Sequence, residues 1–106
     1  MDVHQLKTFV AVAREGSITR AAERVHLSQP AVSAHIRAIE EVVGLTLFER
    51  TARGMTLTRE GQGLLPKAEA ALAAHDALLE EARRLSGAVS GKLRLAAGNA
   101  AADTWV

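Results

Sequence analysis

The chain has 106 residues, with 13 Lys plus Arg against 12 Asp plus Glu, 48% apolar and 3% aromatic residues. This length is typical of one domain with an attachment, and the composition is that of a folded chain. The absence of cysteine excludes disulfides and thiolate metal sites. The scarcity of aromatic residues disfavours base stacking on single-stranded nucleic acid. Because the formal net charge is only +1, any argument for nucleic-acid binding must depend on local arrangement.

Two short helices are predicted at the N-terminus. Apolar residues at three-and-four spacing predict a first helix over 3–14, and Gly16 is a natural end for it. Ser17 lies at an N-cap position, and the apolar spacing over 18–25 predicts a second helix of about two turns.

A third helix is predicted to begin after Ser28, with Pro30 in its first turn and Gly44 at its end. Its expected core face consists of Val32, Ile36, Ile39 and Val43. The turn before it, 26–27, is tight, so the second and third helices are typical of a helix-turn-helix at about 18–37.

The hydrophobic period changes after the third helix. Residues 45–58 contain short β-favouring pieces on either side of Arg53-Gly54, which predicts a hairpin or wing with Gly54 at a positive φ.

A long fourth helix is predicted to open at Thr58 and to run over 59–86. Leucines recur in this helix at intervals of seven residues, and His75 interrupts the apolar pattern. A second apolar line runs beside them through Leu64, Ala71, Leu78 and Leu85. The predicted dimerisation residues are Leu65, Ala68, Leu72, Leu79 and Ala82. Beyond the helix we expect a small-residue linker at 87–91 and a first strand at 92–97.

The predicted division of the chain has three parts. We expect a winged helix-turn-helix domain at 1–58, a linker and dimerisation helix at 59–88, and the stub of a truncated domain at 89–106. The fold class is therefore mainly α.

The outward face of the third helix is the candidate functional surface. Placed at 100° per residue, Pro30, Ala34 and Arg37 point away from the core, Gln29 and Ser33 lie on one shoulder, and His35 lies on the other. Small residues and hydrogen-bonding groups near a helix N-terminus are what entry into a DNA major groove requires. An ordinary solvated face has the same periodicity. DNA contact would also explain the helix N-termini at Ser17 and Ser28 and the arginines of the hairpin at 50–53.

Other chemistries have little support. The four histidines lie on different predicted elements, without cysteine or carboxylate at ligand spacing, so no metal or other cofactor is expected. The pairs Glu40-Glu41 and Glu80-Glu81 are interpreted as solvated faces, because neighbours on a helix point about 100° apart. No nucleophile or phosphate-loop motif suggests an enzyme. No apolar run reaches the roughly 18 residues of a membrane span, and MDVHQLK has no signal core, so we expect a cytoplasmic protein.

Two segments carry a resemblance to a known family. GSITRAAERVHLSQPAVSAHIRAIE at 16–40 and LFERTARGMTLTREG at 47–61 resemble the N-terminal DNA-binding domain of LysR-type bacterial transcriptional regulators. The resemblance covers residues 1 to about 95. It implies a winged helix-turn-helix, a linker helix that pairs with its copy in a dimer, and a C-terminal effector-binding domain, of which only the first strand is expected here.

The resemblance also implies roles for single residues. The family's recognition-helix contacts correspond to Gln29, Pro30 and Ser33, its backbone contacts to Ser17 and Ser28, and its wing contact to Arg53. The family commonly has Arg then Gln where this chain has Ala34 and His35. The loss of that arginine alters the expected target sequence, although Ala34 can still contact a thymine methyl group.

The sequence thus predicts sequence-specific binding to double-stranded DNA by a homodimer on a roughly palindromic promoter site. A tetramer is an option for a longer protein, in which a small-molecule effector would bind the C-terminal domain. The alternative is a helical protein–protein dimerisation module without DNA readout.

Overall fold

A computed structural model of the chain describes the backbone of residues 1–93 and the side chains of residues 1–87. Its elements are, in chain order, α1 (Val3–Glu15), α2 (Ile18–Val25), α3 (Gln29–Val43), β1 (Phe48–Thr51), β2 (Gly54–Leu57) and α4 (Arg59–Leu93). The two strands form an antiparallel hairpin. Three helices, a hairpin wing and a long helix confirm the predicted fold class. Within the described part of the chain, no helix combines the length and apolarity of a membrane span.

The first three helices begin and end at residues with capping chemistry. Ser17 Oγ accepts the Arg20 N–H at 3.1 Å, and Ser28 Oγ accepts the Ala31 N–H at 3.2 Å, as predicted. Gly16 and Gly44 end α1 and α3 in the left-handed conformation.

The N-cap of α1 was not predicted. Asp2 forms a capping box with Gln5, whose backbone N–H donates to Asp2 Oδ1 at 2.9 Å. This hydrogen bond lowers the pKa of the Asp2 carboxyl below its ordinary value. The Asp-x-x-Gln spacing is visible in the sequence and is the signal that identifies this cap.

The turn between α2 and α3 depends on one non-glycine residue with positive φ. His26 has φ 60° and ψ 45°, and its N–H donates to the Ala22 carbonyl. The Leu27 N–H also donates to Ala22, at 3.0 Å. These bonds close the end of α2 and let α3 begin three residues after His26.

The core lies between α1, α2, α3 and the base of the hairpin. Its largest fully buried side chains are Phe9, Leu47, Val12, Val32 and Thr8. The rings of Phe9 and Phe48 meet edge to face with centroids 5.6 Å apart, as befits their predicted core positions. The predicted inner face of α3 is buried at Val32, Ile36 and Ile39 and half-buried at Val43.

The backbone of Leu47 joins α3 to the hairpin and to α4. Its N–H donates to Glu40 Oε2 at 2.8 Å, and its carbonyl accepts the Thr58 N–H at 2.9 Å. The prediction that Glu40 only faces solvent is therefore wrong, because its carboxylate pairs a backbone group beside the core. Thr58 Oγ1 in turn accepts the Gly61 N–H at 3.0 Å and caps α4.

The predicted dimerisation stripe has two environments. One compact unit comprises Met1–Leu72, and within it Ala68 is buried while Leu65 and Leu72 pack against the core. A second unit begins at Ala73. In it the large apolar side chains Leu78, Leu79 and Leu85 are exposed.

The end of α4 differs from the prediction. The helix continues to Leu93 instead of ending near Ser86, so the predicted linker at 87–91 is helical. Glycine inside a helix costs only about 1 kcal/mol, and no proline follows to stop the helix. Of the predicted strand at 92–97, the first two residues are helical and the rest lie outside the described residues.

Candidate nucleic-acid interface

A cleft opens between the start of α2, the N-terminal turns of α3 and the hairpin; we call it the wing cleft. Its lining includes five of the eight residues predicted to contact DNA, namely Ser17, Gln29, Pro30, Ser33 and Arg53. Residues that are far apart in the sequence thus form one concave surface. The predicted shoulder of α3 that carries Gln29 and Ser33 is the one that faces the hairpin.

Close backbone packing fixes the hairpin beside α3. The Met55 N–H donates to the Gly16 carbonyl at 3.0 Å. A Cβ atom at Gly54 would lie 2.4 Å from that same carbonyl oxygen, and Gly54 has φ +117°. Only glycine permits both this approach and this conformation. The predicted positive φ of Gly54 is confirmed, whereas the role of Gly16 as its docking partner has no signal in the local sequence.

The wing cleft is electropositive. Its charged lining residues are Arg50 and Arg53, and no carboxylate lines it. Neither arginine forms a salt bridge with any described residue. Arg53 lies in the exposed turn of the hairpin, where its backbone N–H donates to Thr51 Oγ1 at 3.2 Å. Two unpaired guanidinium groups in a concave surface favour a polyanionic ligand.

The three other predicted contacts do not line the wing cleft. Ser28, the N-cap of α3, and Ala34, within α3, are both exposed. Arg37 is also exposed and borders a separate surface depression near Glu40 and Glu41. These three residues lie on the outward side of α3 and share no pocket, because the surface of a helix is convex.

One polar residue of the wing cleft was not predicted. Thr19, in the first turn of α2, lines it two residues after the predicted cap Ser17. Arg50, on β1 opposite Met55, also lines it; the sequence associates Arg50 with DNA contact only as one of the hairpin arginines. The convergence of Thr19 and Arg50 depends on how the hairpin docks.

A second cleft lies on the opposite shoulder of α3, as the helical geometry predicts for His35. It is formed by the N-terminal half of α1, the end of α2 and the turn before α3. Thr8 Oγ1 lies 2.8 Å from His35 Nδ1 and 3.0 Å from the His4 carbonyl oxygen. His35 therefore links α3 to α1 and is not only a surface residue.

Comparisons with known proteins agree on one family. The family model "Bacterial regulatory helix-turn-helix protein, lysR family" matches residues 3–62. An uncharacterized regulator from the ibpB-leuC intergenic region of Azotobacter vinelandii is 46% identical over 100 residues, which cover 91% of this chain and 67% of that protein. The regulator TfdT of Cupriavidus pinatubonensis is 44% identical over 99 residues, covering 90% of this chain and 42% of TfdT.

Solved structures give the same result. The CbnR DNA-binding domain in complex with DNA has a TM-score of 0.76 and 36% identity, covering 81% of this chain and 99% of that chain. The BenM DNA-binding domain in complex with catB site 1 DNA has a TM-score of 0.77 and 34% identity, covering 81% of this chain and 97% of that chain.

Proposed function

Since this chain belongs to the lysR family of bacterial regulatory helix-turn-helix proteins, we propose that its residues 1–58 read the sequence of double-stranded DNA to regulate transcription. It is a regulator and not an enzyme, and its place of action is the cytoplasm, where bacterial DNA lies. The observation that carries the proposal is the wing cleft, in which the polar shoulder of α3 faces two unpaired arginines. A helical dimerisation module has no use for such a surface.

The proposed interface divides into base-reading and backbone-binding groups. Gln29 and Ser33 are the hydrogen-bonding groups on α3 that reach base edges in the major groove. Pro30 and Ala34 offer apolar surface to thymine methyl groups. Arg37 extends the same outward face and contacts DNA from there.

The backbone-binding groups surround this face. The N-termini of α2 and α3, capped by Ser17 and Ser28, present free N–H groups to phosphates. Arg50 and Arg53 of the hairpin bind phosphate or enter the adjacent minor groove. These contacts position α3 without selecting a sequence.

A homodimer through α4 completes the proposal. One helix-turn-helix makes few contacts, and two linked copies bind the two halves of a palindrome with high effective concentration. Leu79 and Ala82 of the predicted stripe, with Leu78 and Leu85, are the exposed apolar groups that a partner helix would cover. In a longer protein, a C-terminal domain would bind the effector, and the dimers could pair into a tetramer.

The test compares one base-reading residue with one backbone-binding residue. A preferred site is first selected from a random duplex library with the wild-type chain, and affinities for that site and for a scrambled duplex are measured by fluorescence anisotropy. Gln29→Ala should cost about 1–3 kcal/mol on the selected site and much less on the scrambled duplex. Arg53→Ala should weaken both and reduce the salt slope by about 0.9.

The matched control is Arg83→Ala, which removes an exposed arginine from α4 and should leave both affinities unchanged. If the library yields no preferred site, sequence-specific reading is refuted. Equal losses on the two duplexes for Gln29→Ala would assign Gln29 to positioning instead of reading.

A further inference from the structure

The second cleft on α3, which we call the histidine cleft, concentrates basic side chains. It is lined by two cations, Lys7 and Arg24, by the three imidazoles of His4, His26 and His35, and by one carboxylate, that of Asp2. No histidine cluster suited to a metal ion occurs within the described residues. The chemistry of this lining favours an anion.

The one carboxylate in the lining is already engaged. Asp2 caps α1 by accepting the Gln5 N–H, and this bond lowers the pKa of the carboxyl. Arg24 has only a long ion pair, with NH1 3.7 Å from Glu15 Oε2, and its side chain is 68% exposed. Its guanidinium is available to a ligand.

Hydrogen bonding orients the His35 ring at the edge of the cleft. Thr8 Oγ1 donates to the His4 carbonyl at 3.0 Å and lies 2.8 Å from His35 Nδ1.

The position of the histidine cleft relates it to DNA. The turn His26-Leu27 borders it and leads directly into Gln29, the first residue of α3. A helix in the major groove has a phosphate strand beside each of its shoulders. The wing cleft lies on one shoulder of α3, and the histidine cleft lies on the other.

We propose that the histidine cleft binds a backbone phosphate of the DNA. This inference rests on the proposed DNA-binding function. In this arrangement, the DNA strand on the side of α3 away from the wing is contacted by the side chains of the cleft, namely Lys7, Arg24 and the imidazoles of His4, His26 and His35. Affinity for DNA of any sequence should accordingly fall when a cation of the cleft is removed, since a phosphate contact does not depend on the base sequence.

The experiment measures the affinity of the full chain for a rhodamine-labelled random duplex of about 24 base pairs as a function of salt concentration. Each cation of the cleft that contacts a phosphate should contribute about 0.9 to the salt slope.

Lysine variants test the site directly. Lys7→Gln should lower the salt slope by about 0.9, and the control Lys67→Gln should not. Circular dichroism verifies that all variants fold. A salt slope that Lys7→Gln leaves unchanged, or a loss shared with Lys67→Gln, would overturn the proposal.

Inorganic phosphate at constant ionic strength separates the two sources of the anion. Phosphate that displaces the duplex from the wild type but not from Lys7→Gln competes with the duplex for the cleft, which supports the backbone phosphate. Phosphate that binds the wild type more tightly than Lys7→Gln without displacing the duplex occupies a cleft that the duplex does not use, which refutes the backbone assignment. Duplex binding at pH 7.5 that is sensitive to Arg53→Ala but insensitive to every change in the histidine cleft would refute this inference and leave the proposed function intact.

Discussion

Two glycines near the start of α4 differ in the space available for a side chain. Gly61 is buried, and a Cβ atom there would lie 2.3 Å from the Leu47 carbonyl oxygen and 2.7 Å from Leu57 Cδ2. Gly63, two residues later, has open space around its Cα. Because Gly61 has no Cβ, the first turn of α4 can pack directly against the base of the hairpin.

We therefore predict opposite effects of the same substitution. Gly61→Ala should lower the free energy of unfolding by about 1–3 kcal/mol, because the backbone of Leu47 must shift. Gly63→Ala should raise it by about 0.5–1 kcal/mol, since alanine loses less conformational entropy in a helix. Urea titration followed by circular dichroism measures both. A neutral Gly61→Ala would show that α4 does not need this approach.

At the scale of elements, the hairpin is held by a few polar bonds to the helices. Leu47, which precedes β1, is fully buried, and its N–H depends on the Glu40 carboxylate at 2.8 Å. Glu41, one residue later on α3, is exposed. Glu40 therefore has a structural role, whereas the neighbouring Glu41 on the same helix is solvated.

Glu40→Ala should lower the free energy of unfolding by about 1–3 kcal/mol, because it leaves the buried Leu47 N–H without a partner. Glu41→Ala should change it by less than about 0.5 kcal/mol. Alanine and glutamate have similar helix propensities, so the difference between the variants isolates the hydrogen bond. Thermal and urea unfolding provide the measurement, and equal effects of the two substitutions would contradict this role of Glu40.

Local signals predicted the elements, and contacts between distant segments supplied what was missing. The caps Ser17 and Ser28 and the stops Gly16 and Gly44 act within a few residues, so the sequence reveals them directly. The bonds of Glu40 to Leu47 and of Thr8 to His35 join different elements, and no periodicity specifies them. The same distinction holds for the interface: Gln29 and Ser33 follow from helical geometry, whereas the presence of Arg50 beside them depends on how the hairpin docks.

At the scale of the whole molecule, α4 serves two purposes along its length. Its first turns complete the core of the first unit through Ala68, Leu65 and Leu72. Among the described side chains of the second unit, at 73–87, Leu78 and Leu85 are 65% and 53% exposed. At 35 residues, the helix is about 52 Å long at 1.5 Å per residue. That length accommodates a seam with a second copy, as the proposed homodimer requires.

The proposed dimer is best tested by substituting residues that do not belong to the core of the first unit. Leu78→Glu/Leu85→Glu should place like charges in the seam and give monomers, because unpaired buried charge is costly. The first unit should stay folded, since neither leucine belongs to its core. The matched control, Ala70→Glu/Ala77→Glu, adds the same charge at exposed positions on the face of α4 outside the leucine stripe and should remain dimeric.

Light scattering gives the mass of each variant, and anisotropy compares duplexes that carry one or two half-sites. The monomeric variant should lose the preference for two half-sites, because the second half-site is no longer an intramolecular ligand, and should bind one half-site as the wild type does. A wild-type chain that is monomeric and still prefers the palindrome would refute dimerisation through α4. A leucine variant that remains dimeric would place the seam on another face of the helix.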